Sequence, residues 1–298
     1  MALIVDPGVG IMSEYITEQT ERNVLTLKFD VASDWQQWIM LSSDHHVDNP
    51  MCRRDLLTRD LEKAKERDAL IFFFGDTFCA MQGKYDKRSS MDDIRSEDVG
   101  EDYLDRIVNH AAELYSPFVA NIALITKGNH ETSIRKRHGT DIVSSLVTLL
   151  NINANGHRVY EGGYGGWVRF QFAVYTRKIL RSLKYHHGAG GGGPVTRGVI
   201  QTNRQAVYLP DADIVVNGHT HDSWVVPIAR ERLNRKGHVA RDLVHFVRTP
   251  AYKDEYRDDY GGFHTEKWGP PKPLGCVWLH FYYDSADGVR FELIPDVS

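Results

Sequence analysis

Cysteine is scarce in this 298-residue chain, and the little there is does not pair. Cys52, Cys79 and Cys276 form an odd set without a CxxC spacing, which argues against a disulfide framework. A buried, apolar role is expected for them, most plainly for Cys276 in its strand-like run. Long apolar runs are missing as well. None approaches the roughly 20 residues that span a bilayer. Residues 1–11 carry an early Asp6 in place of a basic start and a long apolar core, so no secretory signal is expected. The expected setting is reducing and cytoplasmic, away from membranes. A one-signed charge excess is also absent. The formal net charge of −4 gives no global pull toward nucleic acid, although a local basic rim could still serve.

What is present is ordinary for a globular chain: 42% hydrophobic and 26% charged residues, enough for one large domain or two small ones. The first 35 residues are polar and irregular apart from an alternating stretch, Val24 to Phe29. They are expected to form an extension packed on a domain of residues 36–298. Trp38 to Ser42, Ala69 to Phe74 and Ile122 to Ile125 read as buried strands. Between them, Leu57, Leu61 and Ala64 mark a helix opened by Asn49-Pro50 and running to about Arg67. Leu104, Ile107, Val108 and Ala111 mark another at about 101–115. A further helix is expected from about Thr140 to Leu150. Residues 79–101 are highly charged and read as an inserted excursion. The second half is richer in strands and suits a second sheet stacked on the first: Trp167–Val174, Leu183–His186, Ile214–Val216, Trp224–Ile228, Leu243–Val247, Val277–Tyr283 and Arg290–Ile294, with one helix at about Arg197–Val207. Strands alternating with helices predict an α/β architecture, whose ligands collect at the carboxyl ends of the strands.

Five short motifs follow such strands in order: Asp44-His45-His46, Gly75-Asp76, Gly128-Asn129-His130-Glu131, His187-Gly188 and Gly218-His219-Thr220-His221. Their oxygen and imidazole donors suit Mn, Fe, Zn or Ni rather than an iron–sulfur cluster. The set is too large for one ion. Two ions sharing a carboxylate would use it, and paired metals are a recurrent solution for phosphate-ester hydrolysis. In an extended segment Asp44 and His46 would point one way and His45 the other. By the same alternation only one of His186 and His187 should face the ions.

The order and spacing of these motifs resemble the calcineurin-like metallophosphoesterase superfamily over roughly residues 37–225. The resemblance implies a four-layer α/β-β/α sandwich of two mixed sheets with a dimetal site at the strand ends. It implies two divalent ions, Mn first, with Fe, Zn or Ni as alternatives. Asp44, His46 and His221 would hold the first ion, Asn129, His187 and His219 the second, and Asp76 would bridge them. His130 would be the catalytic histidine, with Glu131 orienting its imidazole. Asn129, Arg135 and Tyr252 are candidate substrate contacts. The implied activity is hydrolysis of phosphate esters by a hydroxide held between the two ions. A phosphodiesterase or nuclease on nucleotides or single strands comes first. A phosphomonoesterase is the alternative, and a non-catalytic scaffold comes third. The 79–101 segment, the His187–Gly193 run and the stretch Pro270 to Gly275 also resemble uncharacterised phosphoesterases of bacteriophages and prophages.

Overall fold

The fold was analysed in a computed structural model of the chain. It describes residues 15–80, 93–152, 154, 156–191, 199–233, 237–256, 265 and 269–298. Most of the charged excursion, residues 81–92, and the end of the glycine-rich run, residues 192 and 193, lie outside the described residues.

Two mixed sheets stack face to face. One holds six strands: β3 (Gln36–Ser42), β4 (Leu70–Phe74), β5 (Ile122–Thr126), β6 (Tyr160–Glu161), β12 (Gly275–Asp284) and β13 (Gly288–Val297), in the order β13-β12-β3-β4-β5-β6. The other holds seven: β1 (Tyr15–Glu21), β2 (Val24–Val31), β7 (Gly165–Val174), β8 (Arg177–His186), β9 (Ile214–Asn217), β10 (Trp224–Leu233) and β11 (Val239–Arg248), in the order β1-β2-β7-β8-β9-β11-β10. Strand β4 shows why both faces are apolar. Leu70, Phe72 and Phe74 enter the core between the sheets. Ile71 and Phe73 face the opposite way, into a core shared with helices. A strand covered on both faces needs a continuous apolar run.

The helices complete the layers. On α1 (Arg54–Glu66), Leu57, Leu61 and Ala64 are buried. On α2 (Tyr103–Tyr115), Ile107, Val108, Ala111 and Tyr115 are buried. Together with Leu146 and Leu150 of α4 (Ile142–Ile152) they cover the six-stranded sheet. On the far side, Ala206 of α5 (Val199–Tyr208) packs with Val215, Val244 and Phe246 of the seven-stranded sheet. The result is the expected four-layer α/β-β/α sandwich.

Three details depart from expectation. Residues 24–31 are a sheet strand, not an outer extension: β2 pairs in parallel with β7, because Leu25, Leu27, Phe29 and Val31 alternate into the core between the sheets. The strand-rich second half does not build a sheet of its own. Its last hairpin, β12–β13, joins β3 antiparallel, so each sheet mixes both halves of the chain. Helix α1 begins at Arg54, not at Asn49-Pro50. The Asn49 side chain accepts from Met51 N–H at 2.9 Å, a local turn that competes with helix initiation.

Candidate metal centre

Every proposed ligand follows the carboxyl end of a strand. Strands β3, β4 and β5 run parallel, as do β8 and β9, so their ends open on one edge of the sandwich. There the loops continue the pairing of the strands. Asp44 N–H donates to Gly75 O at 3.0 Å and His46 N–H to Asp76 O at 3.1 Å. Likewise Gly218 N–H donates to His187 O at 2.8 Å.

The backbone is strained where the ligands sit. Asp44, His46, Asp76, His219 and His221 adopt φ values of 55°, 48°, 51°, 74° and 56°. They are five of the eight described non-glycine residues with positive φ. Each such conformation costs about 1–3 kcal/mol and persists only where the surroundings enforce it. Asp44 and His46 therefore share a side through two left-handed residues, not through the strand alternation expected from sequence. Two glycines permit the close approach of these loops. A Cβ on Gly128 would stand 2.5 Å from Asp76 N and overlap its carboxylate, and one on Gly218 would collide with Ser43 Oγ and Asp44 Oδ2.

The side chains gather in two groups. Asp44, His46 and His221 offer ligand atoms within 4.8 Å of one another, and so do Asp76, His187 and His219. His187 Nε2 lies 3.0 Å from Asp76 Oδ2 and 3.9 Å from Asp44 Oδ1, linking the groups. Asn129 Oδ1 is 3.1 Å from His187 Nε2 and 2.7 Å from His219 Nδ1. His187 turns inward. Its Nδ1 donates to Phe74 O at 2.8 Å, which leaves Nε2 for the cluster. His186 turns away, accepting from Gly188 N–H and stacking edge-on with Tyr164. His45 also turns away, between Tyr115 Oη and Ser42 Oγ.

Electrostatics follow this crowding. Burial disfavours a charged His187, but the Asp76 and Asp44 carboxylates override it and push the imidazole up to about 10. Burial likewise opposes ionisation of Asp44 and Asp76. His187 nonetheless holds both below the usual carboxylate range, helped by His221 at Asp44 and by His130 at Asp76. His46 is held well below its ordinary value by burial and then by His130.

Two observations test whether cations fit. Asp44 Oδ1 and both ring nitrogens of His46 are buried with no hydrogen-bond partner among the described residues, and each such orphan costs about 1–3 kcal/mol. The donors are carboxylate, amide oxygen and imidazole, a set that holds divalent ions. Both observations fit a pair of cations.

His130 stands at the edge of the two groups. Its Nδ1 donates to Cys79 O at 2.5 Å, and Nε2 faces Asp76 Oδ2 at 3.7 Å. Glu131 does not orient that imidazole, contrary to expectation. It is the third residue of α3 (Asn129–His138), and it accepts from Gly128, Asp76 and Phe78 N–H at 2.8, 3.2 and 3.1 Å. It thereby caps the helix and fixes the Asp76 loop. Burial, and then Asp76, push its carboxyl up to about 8. Tyr252 is likewise corrected. It is fully buried, its hydroxyl donates to Asp60 at 2.9 Å, and it cannot stack on a substrate. Arg135 is exposed in the last turn of α3 and lies 3.9 Å from Asp141.

Several residues here carried no sequence signal. Ser43 Oγ bonds to Asp44 Oδ2 and to Thr249 Oγ1. Asp48 accepts from Cys79 and Ala80 N–H at 2.5 and 2.7 Å. The buried Arg248 donates to Gly218 O. Tyr164 donates to Gly188 O at 2.7 Å. All act through space on loops that are distant in sequence.

No protein-family model and no curated protein matches the chain. Among solved structures it is similar to a predicted phosphoesterase from Streptococcus pneumoniae, with 14% identity and a TM-score of 0.31, over 86% of this chain and 89% of that one. It is similar to Vps29 from Entamoeba histolytica, solved with zinc, with 11% identity and a TM-score of 0.36, over 87% and 98%. It is also similar to GAP50 of Plasmodium, the anchor in the inner membrane complex, with 8% identity and a TM-score of 0.43, over 87% and 84%. Among the described residues no helix is long and apolar enough to cross a membrane.

Proposed function

We propose that this chain is a dimetal phosphoesterase of the calcineurin-like type, acting first on phosphodiesters of nucleotides or single-stranded nucleic acid. The observation that carries the reading is the pair of ligand groups with orphaned donors, Asp44 Oδ1 and the His46 nitrogens, at one edge of the sandwich. Asp44, His46 and His221 would hold one ion and Asn129, His187 and His219 the other, with Asp76 between them. Manganese is the ion we favour. Two bound cations would supply Lewis acidity to the phosphoryl oxygens and ease deprotonation of a water.

The chain's own groups do the rest. A carbonyl only accepts, so His130 Nδ1 carries a hydrogen bound to Cys79 O. Its Nε2, 3.7 Å from the Asp76 carboxylate, is then the atom that hands a proton to the leaving oxygen. After the transfer the imidazole remains in the tautomer that the Cys79 carbonyl holds. Asn129 would add a neutral oxygen to the second ion and an amide donor toward the phosphate. Arg135 lies six residues along α3, about 9 Å from Asn129. That reach suits a flanking part of a longer substrate better than the scissile phosphorus.

The test is a paired assay on purified protein with Mn: bis(p-nitrophenyl) phosphate against p-nitrophenyl phosphate, with bound metal measured in parallel. Faster diester cleavage at about two ions per chain is expected. A monoester preference would replace the diester reading with the phosphatase one. Neither activity at full metal loading would remove the enzyme reading.

A further inference from the structure

We propose that Cys79 builds a soft-metal site overlapping the first ion position, in which His46, Cys79 and His130 take a zinc-class ion. The three offer ligand atoms within 4.8 Å of one another. Each is prepared for the role independently. Both ring nitrogens of His46 are buried without a hydrogen-bond partner among the described residues. The Cys79 backbone is pinned by the Asp48 carboxylate, and its sulfur accepts from the Asn49 amide at 3.3 Å. His130 is anchored through Nδ1 to the Cys79 carbonyl, which leaves Nε2 free to ligate, and its ring centroid is 4.9 Å from that of His46.

The chemistry of the donors selects the ion. A thiolate with two imidazoles favours zinc or another soft, tetrahedral ion over Mn or Mg, which prefer oxygen. With Zn–S of about 2.3 Å and Zn–N of about 2.0–2.1 Å, tetrahedral ligand atoms stand about 3.3–3.6 Å apart. Closure from the present spacing therefore takes roughly 1 Å or less of side-chain movement. Binding exchanges the Sγ proton of Cys79, which leaves to solvent, for a metal–sulfur bond, and no electron is transferred. His46 belongs to both groups, so an ion on Cys79 draws it from Asp44 and His221. His130 Nε2, once coordinated, cannot carry a proton. Zinc in excess is thus an inhibitor written into the site. The inhibition rests on the phosphoesterase reading, but the binding does not.

Cobalt(II), a spectroscopic substitute for zinc, separates the two. Titrated into the Mn-loaded protein, it should give a near-ultraviolet sulfur-to-cobalt charge-transfer band. The band should vanish in Cys79→Ser and Cys79→Ala and persist in Cys276→Ser. In the diester assay, zinc should half-inhibit the wild type at a concentration at least about tenfold lower than either Cys79 variant, each measured against its own zinc-free rate; tenfold corresponds to about 1.4 kcal/mol. No band, or a band that survives in both Cys79 variants, would overturn the site, as would equal zinc sensitivity in all three proteins. A Cys79-dependent band in a protein without hydrolytic activity would support the site and overturn the phosphoesterase reading instead.

Discussion

The two ligand groups are built from the same residue types yet are satisfied differently. Around Asp76 the polar atoms find one another: His187 at 3.0 Å from the carboxylate, and Asn129 bridging His187 and His219. Around Asp44 fewer of them do. His46 and His221 stand 4.0 and 3.4 Å from Asp44 Oδ1, and among the described residues that oxygen and both His46 nitrogens lack hydrogen-bond partners. The Asp76 group can close on itself with a proton on His187, whereas the Asp44 group leaves donors that a cation would satisfy. If the two groups hold ions as proposed, metal dependence need not be shared evenly between them.

The largest test separates chemistry from binding. His130→Ala should lower turnover by about 10²–10⁴-fold, the usual range for losing a proton donor, with two ions still bound. His219→Ala should instead lose the second ion. Equal metal loss in both variants would show that His130 is a ligand and that the division drawn here is wrong.

Next in size is the stabilisation that metal brings. An ion at a hundred times its Kd stabilises the native state by about 2.7 kcal/mol. In a chain of this size that corresponds to several degrees in Tm. Removing metal with EDTA should lower the melting temperature accordingly, and His46→Ala should abolish most of the gain, because it removes the orphaned nitrogens. If His187→Ala abolishes more of it, the comparison is reversed.

A smaller effect comes from Ser43. One Asp44 oxygen is committed to protein donors, Ser43 Oγ and His219 N–H at 2.9 Å, and the other is left for an ion. Outer partners of this kind are worth about 10–100-fold in metal affinity. Ser43→Ala should weaken one of two Mn-binding steps by that factor and leave the other within error in calorimetry. Loss in both steps would mean the groups are coupled more tightly than their hydrogen bonds suggest.

Much of this site was legible because its residues carry their chemistry in short spacings at strand ends, where an apolar run stops. Alternation allows only one of His186 and His187 to face the cluster, and the resemblance favours His187, because the glycine after it matches the family pattern. What stayed hidden depends on partners brought close by folding. Helix α3 has no apolar period, since Ile134 is its one buried hydrophobic residue, and Glu131 holds its start through loops that the sequence does not connect. The left-handed φ values at Asp44 and His46 have only a weak signature in residue type, since Asp and His enter that region more often than most residues but seldom. Strands β12 and β13 read correctly as strands, but the choice of sheet is a tertiary decision between two equally apolar faces.

The smallest effect concerns Tyr252, which lies beneath the Asp44 group and not at its mouth. Its backbone N–H donates to Asp44 O at 3.0 Å, and its hydroxyl reaches Asp60 on α1. Tyr252→Phe keeps the first bond and removes the second, leaving one oxygen of the buried Asp60 without that donor while Arg59 still holds the other. A loss of about 1–2 kcal/mol in unfolding free energy is expected. Because the backbone contact to Asp44 survives, metal affinity and KM should not move. A changed KM with unchanged stability would return Tyr252 to the substrate. It would also mean that the wall behind Asp44 opens far enough for a ring now fully buried to meet a ligand.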